Sequence, residues 1–499
     1  MFTGSEDYWL VRFLFQRGLA VLYLLAFLVA ATQFRPLAGE NGILPLDRYV
    51  DRAEFADRPS LFYLVPSDRA IGIAAWSGVV LSAVALLAGP YWLTIWLPGE
   101  YAIAASMALW LALWALYLSF VNAGQLFYGY GWESMLLETG FLAVFLGAGP
   151  AGPPIVVIWL VKWVCFRNMF GAGLIKLRGD DCWRDLTAMD YHYETQPIPN
   201  PGSWFAHHLP DRFHRLEVLG NHVVELAVPF LLFAPQPWSS VGGAAIVGFQ
   251  AWLLLTGNFS WLNALTIVQA IAAFSDRVLA SAFVPVAAIT RAIPAGPDSV
   301  GAASTAPVAL QIAAVTLALL VAILSVHPVK NMLSERQVMN TAYDPLSLVN
   351  TYGAFGSITR DRYELVIQGT TDERITDDTE WRTYRFTGKP TDPGRRPRQI
   401  APYHLRLDWQ LWFAAMRRTP RRIPWFTRFL DKLLAGDDAT IALLADDPFD
   451  GEAPTYVRVD RYRYRYTTPE ERAESGDWWV RERENTYVPP VSAEEIPST

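Results

Sequence analysis

The sequence predicts a polytopic α-helical membrane domain followed by a β-rich α+β extramembrane domain. Hydrophobic residues make up 52% of the 499-residue chain and charged residues only 18%, a composition that indicates a membrane protein. Before about residue 327, apolar runs approach the roughly 20 residues that a helix needs to cross a bilayer. After about residue 343, apolar and polar residues alternate, which is typical of strands with one wet face.

Apolar runs predict eight to ten membrane spans in the first part of the chain. Arg12 and Arg17 precede the first run and place that end in the cytoplasm, because positive residues are retained on that side. Nine spans would then put the C-terminal domain outside the cytoplasm. Residues 278–293 are predicted as a re-entrant or interfacial segment before a linker at 294–306, and an extra span there would reverse this arrangement. The predicted spans are 18–32, 70–93, 101–122, 132–148, 155–177, 216–234, 241–256, 259–274 and 307–326.

Two domains are expected, each with its own periodicity. The transmembrane domain covers residues 1–335 and contains a long polar loop at 178–215. The antiparallel β-rich domain covers 336–490 and includes the strictly alternating run 456–466. The last residues, 491–499, are expected to form a disordered tail, as chain ends often do.

Charge, motif and cysteine content exclude several function classes. The formal net charge of -7 argues against a nucleic-acid partner, which normally requires a basic face. No P-loop, dinucleotide fingerprint or Ser-His-Asp signature is present, so no cofactor is expected. If the helix continues from Cys165 to Leu177 it covers roughly 18 Å, and Cys182 lies in the loop beyond it. A disulfide needs Cα atoms within about 7 Å, so none is expected.

Charged side chains at membrane depth form the first candidate site. Such residues are costly in a bilayer and often mark function. The alternative is a structural network, in which Lys162 and Lys176 reach opposite interfaces and Arg167 pairs with a carboxylate. Candidate partners lie at Glu133 and Asn221 as well as in the cluster itself. The predicted intramembrane polar cluster consists of Glu138, Lys162, Arg167, Lys176, His222 and Glu225.

The polar loop forms the second candidate site, because it is dense in histidines and carboxylates. Their spacing matches no recurrent metal signature, so no metal is predicted. Hydrogen bonding within a rigid, proline-rich loop is the other interpretation. The predicted loop residues are Asp180, Asp181, Trp183, His192, Glu194, His207 and His208.

An aromatic segment in the C-terminal domain forms the third candidate site. Tryptophan and arginine dominate protein–protein interfaces, which favours a partner-binding surface. The alternative is that these aromatic residues pack beneath the sheet. The candidate partner-binding residues are Arg406, Asp408, Trp409, Trp412 and Phe413.

Blocks along nearly the whole chain resemble the lipase maturation factor family. They are 130–142, 163–209, 349–356, 363–369 and 406–416. The resemblance implies a membrane-embedded, chaperone-like factor that helps secreted lipases fold, rather than an enzyme. Its partners would be the lipid bilayer and a client protein such as a secreted lipase. The location would be the endoplasmic reticulum membrane in a eukaryote or the cell membrane in a microbe, with the C-terminal domain outside the cytoplasm.

A shorter resemblance points to a different function class. Residues 172–177 are similar to a helix end in the vitamin K-dependent γ-carboxylase and its bacterial horizontally transferred transmembrane relatives. In that carboxylase the lysine matching Lys176 acts as a base. The resemblance therefore implies, as an alternative, an intramembrane enzyme that uses Lys176 on a lipid-soluble or peptidyl substrate.

Overall fold

The computed structural model describes residues 8–87, 98–149, 151–282, 306–420 and 423–495. Most of the predicted re-entrant segment and of the 294–306 linker lies outside these residues. So do the last four residues of the predicted tail.

The first part of the described chain is helical. Its α-helices are α1 (Trp9–Ala38), α2 (Leu46–Val50), α3 (Asp68–Leu86), α4 (Gly99–Ala123), α5 (Gly131–Ala143), α6 (Ile155–Arg178), α7 (Asp181–Arg184), α8 (Met189–Thr195), α9 (Ser203–His207), α10 (Asp211–His222), α11 (Val228–Leu231), α12 (Trp238–Thr256), α13 (Leu262–Ala270), α14 (Asp276–Ala282), α15 (Val308–Leu324) and α16 (Val326–Leu333). A π-helical turn covers Val223–Ala227, and 3-10 turns cover Leu61–Tyr63, Gln125–Tyr128, Val144–Leu146 and Ile271–Ala273.

The prediction of a helical membrane domain is confirmed. Within the described residues, six helices are long and apolar enough to cross a membrane. They are α1, α3, α4, α6, α12 and the continuous segment Val308–Leu333. The remaining apolar helices, such as the 13-residue α5, are shorter than the roughly 20 residues of a full span. The predicted number of eight to ten spans is therefore not confirmed.

Prolines set the start of several membrane helices. Pro98, Pro154 and Pro307 each occupy the position before a helix, at α4, α6 and α15. A proline has no backbone N–H to donate within a helix, and it restrains the residue before it to extended conformations. These prolines therefore mark the start of each helix, so the first residues of α4, α6 and α15 can be predicted from the sequence.

Helix α1 runs through the centre of the helical part, and its two ends contact different partners. At its start, the backbone N–H groups of Leu10 and Val11 donate to the Asp276 carboxylate at 2.9 and 3.0 Å. Near its end, Gln33 Nε2 donates to the carbonyl of His404 at 2.7 Å. The C-terminal half of the chain therefore packs at the C-terminal end of α1.

The C-terminal half contains the predicted antiparallel sheet. Its order is β2 (Arg382–Thr383), β1 (Arg362–Thr370), β3 (Tyr456–Tyr466) and β4 (Trp479–Val491). Asp460 at the middle of β3 pairs with Val366 on one side and Thr486 on the other. Helices α17 (Arg406–Ala415), α18 (Pro424–Leu434), α19 (Asp438–Ile441) and α20 (Pro469–Ser475) complete this half. The apolar faces of α17 and α18 are buried.

Two local predictions in this half differ from the structure. Apolar and polar residues also alternate at 381–386, which predicts a strand, but only the two-residue strand β2 forms there. Strand β4 continues to Val491, where it pairs with Val457, so the ordered strand reaches the first residue of the predicted tail. Hydrogen bonding to β3 holds this end of β4, which composition alone does not indicate.

Short helices, rather than irregular coil, fill the loop at 178–215, and the loop rests on the sheet. Trp204 Nε1 donates to the Thr467 carbonyl at 3.0 Å. Arg362 Nη1 donates to the carbonyls of Glu194 and Gln196 at 2.9 and 2.5 Å. These contacts place the loop between the membrane helices and the extramembrane sheet.

Candidate functional site

Three buried ion pairs lie where the membrane helices meet the loop and the C-terminal half. They are Arg167–Glu138, Lys176–Glu225 and Arg406–Glu133. A lone buried charge in a low-dielectric environment costs several kcal/mol, so removing one partner of such a pair is strongly destabilising. Each charge therefore constrains where the element that carries its partner can pack.

The first pair joins two membrane helices to the segment that leads into the sheet. Arg167 of α6 donates to the Glu138 carboxylate of α5 and, at 2.5 Å, to the Asn350 carbonyl. The other carboxylate oxygen of Glu138 accepts from Tyr352 Oη at 2.6 Å and from the Asn350 N–H at 3.1 Å. A single carboxylate therefore holds both an α6 side chain and the extramembrane segment.

The second pair lies at the end of α6, beside the loop. Lys176 Nζ is 2.6 Å from Glu225 Oε1 and 2.8 Å from Asn221 Oδ1. It also lies 4.7 Å from the centre of the Trp183 ring, a cation–π distance. Glu225 belongs to the π-helical turn Val223–Ala227. Such turns are rare and are frequently found at functional sites.

The third pair crosses from the membrane helices to α17. Arg406 Nη1 is 2.9 Å from Glu133 Oε1, and its guanidinium carbon lies 3.3 Å from the centre of the Tyr128 ring. The second oxygen of Glu133 accepts from the hydroxyl of Tyr117. His404 Nδ1 is 3.8 Å from Glu133, and burial lowers the pKa of His404 to about 4. Sequence reasoning missed this pair, because no local pattern connects its two halves.

Two members of the predicted polar cluster lie apart from these pairs. Lys162 precedes Lys176 by roughly 21 Å of helix at 1.5 Å per residue. It is buried and donates to Ser239 Oγ, near the start of α12, at 3.1 Å. His222 Nε2 is 2.9 Å from the Trp183 carbonyl. The π-helical turn that follows His222 presents its glutamate, rather than His222, to Lys176.

The loop residues nearest the membrane helices are held by charge and burial. Asp180 lies 2.7 Å from Arg360, and this hydrogen bond lowers the pKa of Asp180. His192 is buried, with its ring centre 5.2 Å from that of Phe355. Burial, together with the charge of Lys176, lowers the pKa of His192 to about 3. His192 is therefore neutral at pH 7.

The other predicted loop residues face the sheet. Glu194 Oε2 accepts from the Tyr466 N–H at 2.7 Å and lies 3.8 Å from His207 Nε2. Burial lowers the pKa of His207 to about 4, so this contact is not an ion pair at pH 7. His208 Nδ1 is 2.7 Å from the Trp204 carbonyl, within the loop itself. Glu194 therefore docks the loop onto the sheet.

The structure offers no assembled metal site in the residues it describes. Among them, no group of three or more His, Cys, Asp or Glu side chains is placed to hold an ion. Asp181 is exposed and pairs with Arg184 on the same short helix. Cys165 and Cys182 are both buried and free.

Most of the candidate partner-binding residues are buried. Arg406, Asp408 and Trp409 lie in the interior, and burial raises the pKa of Asp408 to about 6. Because a buried side chain cannot meet a partner, these three do not form the predicted surface, and the aromatic Trp409 packs in the core instead. Trp412 is half-buried and Phe413 is 39% exposed.

A further buried ion pair in the sheet lay outside the predicted sites. Lys389 Nζ is 2.9 Å from Glu364 Oε2, and Arg362 donates to the other oxygen of Glu364. Burial lowers the pKa of Lys389 to about 8. Alternation along β1 predicts the strand, but not which of its charged side chains turns inward.

Two adjoining cavities lie beside the second ion pair. The outer cavity has a volume of about 500 Å³ and the inner cavity about 60 Å³. The outer lining includes Tyr130, Trp132, Leu262, Phe355, Trp412, Phe413 and Met416. The inner lining includes Lys176, Glu225, Asn221, Gln250, Asn263 and Thr266. Five residues line both cavities, namely Asn168, His192, Leu262, Ala354 and Phe355, whereas Glu138 and His222 line neither.

Comparisons with known proteins cover both halves of the chain. The family model for the lipase maturation factor transmembrane domain matches residues 10–281, and that for the lipase maturation factor C-terminal domain matches 348–489. The chain is 44% identical to lipase maturation factor 1 of Bos taurus, over 99% of this chain and 91% of the relative. It is also 44% identical to lipase maturation factor 1 of Homo sapiens, over 99% and 89%. It is 29% identical to lipase maturation factor 2 of Homo sapiens, over 97% and 83%. No solved structure matches the chain.

We predict that His192 makes the fold sensitive to acid. The folded chain keeps His192 neutral down to a pH of about 3, whereas an unfolded histidine takes up a proton below about pH 6.5. Stability is therefore lost as the pH falls from 6.5 towards 3. The substitution His192→Phe should remove about 1.4 kcal/mol of the stability lost between pH 7.5 and 5.5. Equilibrium unfolding in detergent at the two pH values measures this difference.

Phe259 supplies the matched control, because its buried ring lies 5.9 Å from that of His192, centre to centre, but carries no titratable group. The substitution Phe259→Leu should lower stability at both pH values and leave the pH dependence unchanged. Equal pH dependence in wild type and His192→Phe would contradict the assignment of a buried, neutral His192.

Proposed function

Because this chain belongs to the lipase maturation factor family, we propose that it is an integral membrane factor that assists the folding and maturation of secreted lipases or similar exported proteins. The match to both family models, in the same order along the chain, supports this function. The proposal that the client is a lipase rests on the names of the relatives, lipase maturation factors 1 and 2.

The observation that carries the proposal is the charged connection between the membrane helices and the extramembrane half. Glu138 binds both Arg167 and the Asn350 segment, and Glu133 binds Arg406. A domain on a flexible linker would sample many orientations. Here the extramembrane half is held against the membrane helices, which suits a factor that receives clients emerging beside the membrane.

We also propose nine crossings, with the C-terminal half outside the cytoplasm. Six long helices and the shorter helices α5, α10–α11 and α13 would supply them. Asp276 contacts one end of α1 and His404 the other, which supports opposite sides for the two ends of the chain. The division into residues 1–335 and 336–490 is part of this proposal. The membrane would be that of the endoplasmic reticulum in a eukaryote or the cell membrane in a microbe.

Phe413 and Trp412 are the proposed client contacts. Of the five candidate residues in α17, they are the ones with accessible side chains. Tryptophan and phenylalanine are enriched in protein–protein interfaces, and tryptophan often contributes most of the binding energy. They lie on the rim of the outer cavity, beside the exposed Met416.

We predict that Phe413→Ala lowers the yield of active secreted lipase at unchanged levels of the factor in the membrane. Loss of one or two kcal/mol of binding would weaken client capture by about 5- to 30-fold. Co-expression with a lipase, followed by assay of secreted activity and of membrane-bound factor, measures this effect.

Phe55 provides the control, because it is 58% exposed and lies in the loop between α2 and α3. The substitution Phe55→Ala should leave secreted activity unchanged. Equal secreted lipase activity for Phe413→Ala and wild type would contradict the proposal that α17 contacts the client.

A second candidate function is an intramembrane enzyme, favoured by one observation. The Lys176 ammonium lines the inner cavity, where a substrate could reach it. Against this, Lys176 is paired with Glu225 at 2.6 Å. A base needs a neutral amine, so the pair would first have to transfer a proton from Lys176 to Glu225.

The double substitution Lys176→Met and Glu225→Gln separates the two functions. Lys176→Met alone leaves Glu225 unpaired and should cost about 3–5 kcal/mol of stability. The double variant removes both charges and should recover most of that stability and the maturation activity. Thermal unfolding and secreted lipase activity are measured together. A double variant that folds normally but is inactive would favour the enzyme.

A further inference from the structure

The two adjoining cavities beside Lys176 form a chamber with one apolar end and one polar end. We propose that this chamber binds a neutral, single-chain lipid, with its hydrocarbon chain in the outer cavity and a head group carrying hydroxyl and carbonyl groups in the inner cavity. This site goes beyond the maturation function and does not depend on which client the protein serves.

The outer cavity suits a hydrocarbon chain. Its volume of about 500 Å³ falls within the range of about 300–1,000 Å³ that small-molecule sites occupy. Trp132 and Leu262 contribute from the membrane helices, Phe355 from the connecting segment and Trp412 from α17. Both halves of the chain therefore contribute to the wall of the outer cavity. The cavity lies where the membrane helices meet the C-terminal half, and a lipid could enter it there from the bilayer.

A peptide segment fits the outer cavity less well than a lipid chain. Every peptide unit carries an N–H and a C=O that must find partners when buried. An unpaired buried amide costs roughly 1–3 kcal/mol in proteins, and aromatic and aliphatic side chains dominate this wall. A hydrocarbon chain needs no such partners.

The inner cavity offers hydrogen-bonding groups that are incompletely used. Gln250 Nε2 donates to Met169 Sδ at 3.4 Å, and a thioether is a weak acceptor. Asn263 Nδ2 donates to Gln250 at 2.7 Å, but Asn263 Oδ1 accepts from no group in the described part of the chain. A head group with a carbonyl would suit the first amide, and one with a hydroxyl would suit the second.

The charge of the inner cavity selects a neutral head group. Lys176 and Glu225 compensate each other at 2.6 Å. The remaining polar groups in the inner lining, such as Asn168 and Thr266, are neutral amides and hydroxyls, and His192 is neutral at pH 7. A fatty acid or a phospholipid head would bring an uncompensated charge into a buried site, which is costly. A monoacylglycerol has the required chain, ester carbonyl and hydroxyl groups.

The test uses the purified full chain in detergent and a monooleoylglycerol analogue that carries a photoactivatable diazirine in its acyl chain. We expect saturable labelling at one site per chain, mapped by mass spectrometry to peptides that contain Phe355 or Trp412. Unlabelled monooleoylglycerol should compete, and oleate should not. Labelling spread over the lipid-facing helices, or equal competition by oleate, would overturn the proposal.

Two variants narrow the chamber at different points. Ala354 lines both cavities, so Ala354→Phe should block the passage between them. Met339 lines only the outer cavity, so Met339→Trp should reduce the volume of that cavity. Each should reduce site-specific labelling at least about tenfold, equivalent to 1.4 kcal/mol. Met339 is 39% exposed, so its variant serves if Ala354→Phe does not fold.

Ala322 provides the matched control, because it is exposed on α15, which is a candidate membrane span. The substitution Ala322→Phe adds the same side chain as Ala354→Phe but lies away from the chamber lining. It should leave labelling at the chamber unchanged. An equal loss in Ala322→Phe, or full labelling in Met339→Trp and in a folded Ala354→Phe, would overturn the proposal.

Discussion

The cost of burying an unpaired charge organises this molecule. Three basic side chains lie in the interior at the junction of the two halves, and each is neutralised by a carboxylate on another element. Breaking one such pair costs about 3–5 kcal/mol, a large fraction of the 5–15 kcal/mol that stabilises a typical domain. Sliding or tilting the extramembrane half would separate Glu133 from Arg406 and Glu138 from Asn350 together. The contacts of Glu133 and Glu138 therefore fix the C-terminal half on the membrane helices, and the Lys176–Glu225 pair fixes α6 against the π-helical turn.

This constraint also explains where the chamber lies. Glu133 and Glu138 both lie on α5 and hold the extramembrane half against the membrane helices. Large, rigid rings such as Trp132 and Trp412 line the outer cavity. At its inner end the Lys176–Glu225 pair supplies polarity without net charge. The proposed client contacts and the proposed lipid site adjoin each other, because Trp412 and Phe413 of α17 line the outer cavity.

Local sequence patterns could predict the elements, but not the long-range pairs. Runs of apolar residues predicted the long helices and alternation predicted β1 and β3, because both patterns depend on near neighbours, whereas β4 was not predicted. Arg406 appeared suited to a surface, and its burial depends on Glu133, 273 positions away. In a regular α-helix His222 and Glu225 would lie on one face, whereas with the π-helical turn Val223–Ala227 they contact different partners. The predicted span at 132–148 corresponds to α5, which has only 13 helical residues and is shorter than a full membrane span.

Hydrogen–deuterium exchange of the full chain in detergent, comparing Glu138→Gln with wild type, tests the coupling of the two halves most directly. Glutamine keeps one acceptor oxygen but loses the charge and the second oxygen, so it cannot hold Arg167 and the Asn350 N–H together. Exchange should increase both in α6 around Arg167 and in the segment 349–353, while the β3–β4 pairing remains protected. An increase confined to α5, with 349–353 unchanged, would contradict the account that buried ion pairs hold the two halves together.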